Sequence, residues 1–180
     1  MIRIMALSDT HLKEGDRLPR AVVERASRAD IILHAGDFVS VQAYSALKGL
    51  GRLVAVRGNC DSPQLKRLLP EREVIDVSGV KIGLVHMASH GSDLLGTEMM
   101  AREMECDVLV FGHIHRPLIE RSRRLLICPG STTLPRMSAP SLAEIEIEDG
   151  RVQGRIIPLG SPVCNYLRYA ETLGKKEAEE

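Results

Sequence analysis

The sequence predicts an α/β domain that opens as βαβαβ and continues as a hairpin-rich second half. Short apolar runs alternate with helical spacing as far as Val56, and each run stops at a polar or glycine-led turn. Beyond Pro63 the connections shorten to the turn dipeptides of antiparallel hairpins.

The first run, Ile2 to Leu7, ends at Ser8-Asp9, the profile of a buried strand meeting a polar loop. From Leu18, the spacing Ala21, Val22, Arg25, Ala26, Ala29 predicts an amphipathic helix. Ile31 to Ala35 is a second strand ending at Gly36-Asp37. Val41 to Leu50 is a second helix, and Leu53 to Val56 is a third strand ending at Gly58-Asn59-Cys60-Asp61. Parallel strands joined by right-handed crossovers bring these carboxyl ends to one edge, where open α/β sheets place ligands.

After a short helix from Pro63, Glu73 to Val77 and Lys81 to Val85 form a hairpin across Ser78-Gly79 that runs into His86. A helix over Asp93 to Glu105 and a strand over Val108 to Phe111 lead to Gly112-His113-Ile114-His115. The remainder is expected to be antiparallel, pairing Leu118 to Arg121 with Leu125 to Cys128 and Ala143 to Ile147 with Val152 to Pro158. One domain spans residues 1–160, and residues 161–180 are a helical or frayed charged extension of it.

The 24 basic and 24 acidic residues cancel, and 44% of the 180 residues are apolar. A chain of this length builds its core without a structural metal, so a bound metal would serve chemistry. Without a basic excess, Trp or an aromatic ladder, long nucleic acid is a poor partner and a small substrate a better one; a homo-oligomer is left open. No apolar run can cross a membrane, and the start MIRIMALSD lacks a signal-peptide plan, so a cytoplasmic setting is expected. Cys60, Cys106, Cys128 and Cys164 form no C-x-x-C pair and read as structural thiols.

Candidate ligands follow successive strands: Asp9 and His11, Asp37, Asn59, His86, then His113 and His115. In extended chain, residues i and i+2 share a side, so D-x-H and H-x-H can each grip one locus. Seven oxygen and nitrogen donors are too many for one ion that must still admit substrate, which suggests two. Donors of this kind favour manganese, iron, nickel, cobalt or zinc over calcium. Gly36, Gly58 and Gly112 each precede a candidate ligand, where a sharp exit from a strand leaves no room for a side chain.

The motifs SDTH, HAGD, RGNCD, LVH, FGHIHRP and PGS, in this order, resemble the calcineurin-like metallophosphoesterase superfamily, and within it the small single-domain prokaryotic phosphodiesterases. The resemblance runs from Met1 to about Ile157. It implies an αββα sandwich of two mixed sheets flanked by helices. It also implies two divalent cations, manganese first, with nickel, iron, cobalt or zinc as alternatives. Asp9, His11, Asp37 and His115 would hold one and Asp37, Asn59, His86 and His113 the other, with Asn59, His86 and His113 in the catalytic set. The implied function is a metal-dependent phosphodiesterase acting through a bridging hydroxide; the alternative is a non-catalytic scaffold, as in retromer's phosphoesterase-like subunit.

Two departures stand out. Cys60 takes the place of a histidine that in many relatives protonates the leaving group, and a thiol is a poor acid for that task. Relatives often read H-G-H where this chain has His86, with His90 four residues on; the strand running directly into His86 favours His86 as the ligand. Arg57, Arg116, Cys60 and His90 are the candidate substrate contacts. For the arginines, exposed strand-end positions are an equal reading; Cys60 is expected first as a buried structural thiol. His34 reads as a packed or supporting histidine, Met99, Met100 and Met104 as helix-to-core packing, and Pro129-Gly130-Ser131 as a turn that braces the site.

Overall fold

The computed structural model describes residues 1–89, 94–136 and 138–162. The first half runs β1 (Ile2–Leu7), α1 (Arg20–Ala26), β2 (Ile31–His34), α2 (Val41–Lys48), β3 (Leu53–Ala55) and α3 (Pro63–Leu68). The second runs β4 (Arg72–Val77), β5 (Val80–Val85), α4 (Leu94–Glu103), β6 (Val108–Phe111), β7 (Leu118–Arg121), β8 (Leu125–Cys128), β9 (Ser141–Glu148) and β10 (Arg151–Pro158).

These strands form two mixed sheets, ordered β10-β9-β1-β2-β3 and β4-β5-β6-β8-β7. In the first, β1, β2 and β3 are parallel and β9 returns antiparallel to β1. Side-chain alternation then divides the core. Ile4 and Ala6 of β1 face the second sheet, together with Leu33, Ile82, Leu84, Val110 and Ile127, while Met5 and Leu7 face outward against Val22, Leu47 and Leu65 of the helices. On the far side, Leu109, Phe111 and Leu126 pack against Ala101 of α4. The layers are therefore helix, sheet, sheet, helix, the expected sandwich. Strands β2, β6 and β8 are buried at every position, which is why they are continuous apolar runs rather than alternating ones.

The helices are shorter than their spacing predicts: α1 starts at Arg20 behind Pro19, and α2 stops at Lys48 before Gly49. Nor is the second half wholly antiparallel, because β8 pairs parallel with β6 and lies between β6 and β7. Burial explains the order: β8, Leu-Leu-Ile-Cys, is wholly apolar and takes the interior, while half-exposed β7 takes the edge. Met99 is 64% exposed and does not pack inward, whereas Met100 and Met104 do. The expected helix over residues 161–180 falls almost wholly outside the described residues, as do His90 and Cys164. Among the described residues, no helix is long and apolar enough to cross a membrane.

Candidate metal centre

The loops after β1, β2, β3, β5 and β6 meet at one edge of the sandwich, so both sheets contribute. Backbone bonds hold them together: the N–H of Asp9 donates to Gly36 O (3.0 Å), that of His11 to Asp37 O (3.0 Å) and that of Gly112 to His86 O (2.9 Å). Asp9, His11, Asp37, His113 and His115 all have positive φ, between 44° and 72°. Such strain in non-glycine residues costs on the order of 1 kcal/mol each and concentrates at functional sites. The glycines permit the crowding. A Cβ on Gly58 would collide with the Asp37 carboxylate, and one on Gly112 would collide with Ser8 Oγ and lie 3.0 Å from Asp9 Oδ2.

The seven candidate ligands form a closed ring. Asp9 Oδ1 lies 3.3 Å from His115 Nε2, which lies 3.2 Å from His11 Nε2, itself 3.6 Å from Asp37 Oδ2. The ring continues from Asp37 Oδ2 to His86 Nε2 (3.4 Å), then to Asn59 Oδ1 (2.9 Å) and His113 Nδ1 (3.0 Å). It closes where the His113 N–H donates to Asp9 Oδ2 at 3.0 Å. Two sets within it bring their ligand atoms within 4.8 Å of one another, Asp9, His11 and His115, and Asp9, Asp37 and His86; a third joins His11 and Asp37 to Cys60 from outside the ring.

Tautomers follow from the outer partners. A carbonyl only accepts, so His86 Nδ1–H donates to Ala35 O (2.8 Å) and His115 Nδ1–H to Leu134 O (2.6 Å). Nε2 of each ring then points inward: that of His86 meets Asn59 Oδ1 and Asp37 Oδ2, and that of His115 meets Asp9 Oδ1 and His11 Nε2. Ring nitrogens and oxygens converging in this way fit divalent cations, which would replace the inward Nε2 protons, with the outer bonds fixing ring orientation.

Burial lowers the pKa of His11 and of His113, keeping both neutral and able to ligate near pH 7. Burial alone would raise Asp37, but the bond and charge of His86 and the N–H of Cys60 hold its carboxyl well below the usual range. Burial would likewise lower His86, yet Asp37 outweighs it and raises the pKa. A cation would compete with that proton.

Several supporting residues were not singled out from the sequence. Asp61, buried, accepts the N–H of Gly58 (2.7 Å) and of Asp37 (3.3 Å) on Oδ2 and that of Val39 (2.8 Å) on Oδ1. Its place at the end of RGNCD was the available signal. Ser8 Oγ donates to Asp9 Oδ2 at 2.5 Å. Ser131 Oγ donates to Asp9 O (2.6 Å) and accepts from the Leu134 N–H (2.8 Å), while Thr133 Oγ1 donates to Thr10 O, so the PGS turn does brace the site. His34, fully buried, stacks on Phe38, accepts the Gly36 N–H on Nδ1 and faces Thr10 Oγ1 through Nε2 at 3.2 Å.

Cys60 corrects an expectation, being exposed rather than buried; it sits at the rim because its N–H is committed to Asp37 Oδ1 at 2.7 Å. Burial and the charge of Asp37 raise its pKa, so it stays a protonated thiol. Cys106 and Cys128 are buried as expected. Arg57 binds Glu71 and Lys66 O, whereas Arg116 is exposed beside His115.

The domain described as "Calcineurin-like phosphoesterase superfamily domain" matches residues 2–150. The chain belongs to this superfamily. It is 36% identical over 160 residues to "Probable metallophosphoesterase MJ0623" of Methanocaldococcus jannaschii, covering 87% of this chain and 81% of the other. "Phosphodiesterase YfcE" of Escherichia coli is 27% identical over 162 residues, covering 78% and 85%. Among solved structures, wild-type Vps29 of Entamoeba histolytica in complex with zinc superposes with a TM-score of 0.71 at 23% identity, covering 88% of this chain and all of that one. Calcineurin-like phosphoesterases use divalent metals, and the ring contains candidate residues for holding them. The likeness to Vps29 shows the fold alone.

Proposed function

We propose that this calcineurin-like phosphoesterase is a metal-dependent phosphodiesterase acting on a small phosphoester in the cytoplasm. The observation that carries this reading is the closed ring of seven candidate ligands, with Nε2 of His86 and of His115 turned inward by their outer carbonyl bonds. Asp9, His11 and His115 with Asp37 would hold one cation; Asn59, His86 and His113 with Asp37 would hold the other. When bound, two such ions neutralise phosphate oxygens and lower the pKa of a water between them, manganese being the first candidate.

The residues themselves divide the remaining work. Asp37 presents Oδ2 to both His11 and His86, so one carboxylate serves both halves. Asn59 Oδ1 joins His86 to His113 and keeps both rings facing the centre. The Cys60 thiol lies where relatives often carry an acid, which favours leaving groups that depart without strong protonation. A complete ligand set supports an enzyme over a scaffold, and the relative named as a phosphodiesterase supports a diester substrate.

Hydrolysis of bis-p-nitrophenyl phosphate tests this. Chelation should abolish turnover and manganese or nickel restore it, while Asp37→Asn or His113→Ala should lose most of it, about a hundredfold or more. Full activity in both variants, or no turnover with any metal, would overturn the reading.

A further inference from the structure

Beside Asn59 and His86 a groove of about 370 Å³ opens between α3 and the end of β5, lined by Arg57, Asn59, Lys66, Glu71, His86 and Met87. That volume suits a small ligand or one arm of a larger one. Two of its walls belong to the ring, so a molecule seated there borders the metal centre.

The charges in the groove are unequal. Arg57 is committed: Nη2 donates to Glu71 Oε2 at 2.9 Å and Nη1 to Lys66 O at 3.1 Å, so arginine and glutamate offset each other. Lys66 donates once among the described residues, from Nζ to Asn59 O at 2.7 Å. An ammonium has three N–H donors. Two donors and an unmatched positive charge therefore remain, tethered to the backbone of a candidate ligand. Met87 supplies an apolar wall next to His86.

We propose that this groove is the subsite for the second arm of the substrate, and that Lys66 selects diesters whose second arm carries its own anionic group, such as a terminal phosphate. The proposal rests on the phosphodiesterase reading. The tether of Lys66 to Asn59 sets the spacing between the two anionic groups that the site accepts. A neutral or cationic arm gains nothing from the Lys66 ammonium.

Two p-nitrophenyl diesters test this, one with a phosphate at the end of the other arm and one with choline there. In Lys66→Met the ratio of kcat/KM for the phosphate-ended diester to that for the choline-ended diester should fall about fivefold, through KM, and Lys66→Arg should retain it. Because each variant is its own reference, a general loss of activity does not imitate the effect. An unchanged ratio overturns the proposal even if both diesters turn over. Should neither diester turn over, the phosphodiesterase reading falls instead. The subsite is then read by calorimetry on manganese-loaded protein, comparing thymidine 3′,5′-bisphosphate with thymidine 3′-monophosphate. The bisphosphate should bind tighter, and Lys66→Met should erase that preference; equal affinities in the wild-type protein count against the subsite.

Discussion

Asp61 shows how much one carboxylate can hold, since its two oxygens accept three backbone N–H groups from the loops that carry Asp37 and Asn59. Removing it orphans those donors in a buried place, so Asp61→Ala should lower stability by about 3 kcal/mol, read from urea unfolding. Asp61→Asn, which keeps one acceptor oxygen, should lose less. His34 has a different signature. Burial, with the charge of His86 adding to it, pushes its pKa from 6.5 down to about 3. Between those values the unfolded chain takes up a proton that the native chain refuses. Stability of the metal-free protein should therefore fall as pH drops through this window, by up to about 1.4 kcal/mol per pH unit from His34. His34→Asn should flatten that slope; an identical slope in both proteins rules the account of His34 out. The candidate ligands were legible because they follow apolar runs, and three of the seven directly follow a glycine. Asp61, Ser8 and Thr133 were not, because they act on backbone groups whose positions only the folded loops define. The exposure of Cys60 was hidden for the same reason, since it follows from the bond between its own N–H and Asp37.

At the scale of elements, the turns are as specific as the strands. Gly112 lets β6 leave the second sheet against Ser8 and Asp9 of the first, and Gly112→Ala would force those side chains apart. The expected cost is about 2 kcal/mol, with weaker manganese binding, both measured against Gly51→Ala, which would meet only Ile32 Cδ1 at an ordinary 3.7 Å. Periodicity and turn signals located the strands well: β1, β6, β7 and β8 begin and end at their expected residues. Neither signal ordered them, since the place of β8 between β6 and β7 depends on competition for the buried interior. Helix ends were also less legible, because Pro19 and Gly49 act on the flanking turns more than on the apolar stripe.

For the whole molecule, a net charge of zero conceals an uneven arrangement. All six histidines lie in or beside the sequence motifs at the strand ends, and four of them join Asp9, Asp37 and Asn59 in the ring; His90 lies outside the described residues. The sandwich makes this possible by bringing strand ends from two sheets to one edge, so that residues more than a hundred positions apart, such as His11 and His115, stand 3.2 Å apart. The central claim is that this edge is a two-metal centre sharing Asp37. The most direct measurement is a calorimetric titration of metal-free protein with manganese. The account predicts two ions per chain in the wild-type protein, with Asp37→Asn losing tight binding at both sites. A protein that binds no manganese, or an Asp37→Asn variant that binds two ions as tightly as the wild type, would contradict it.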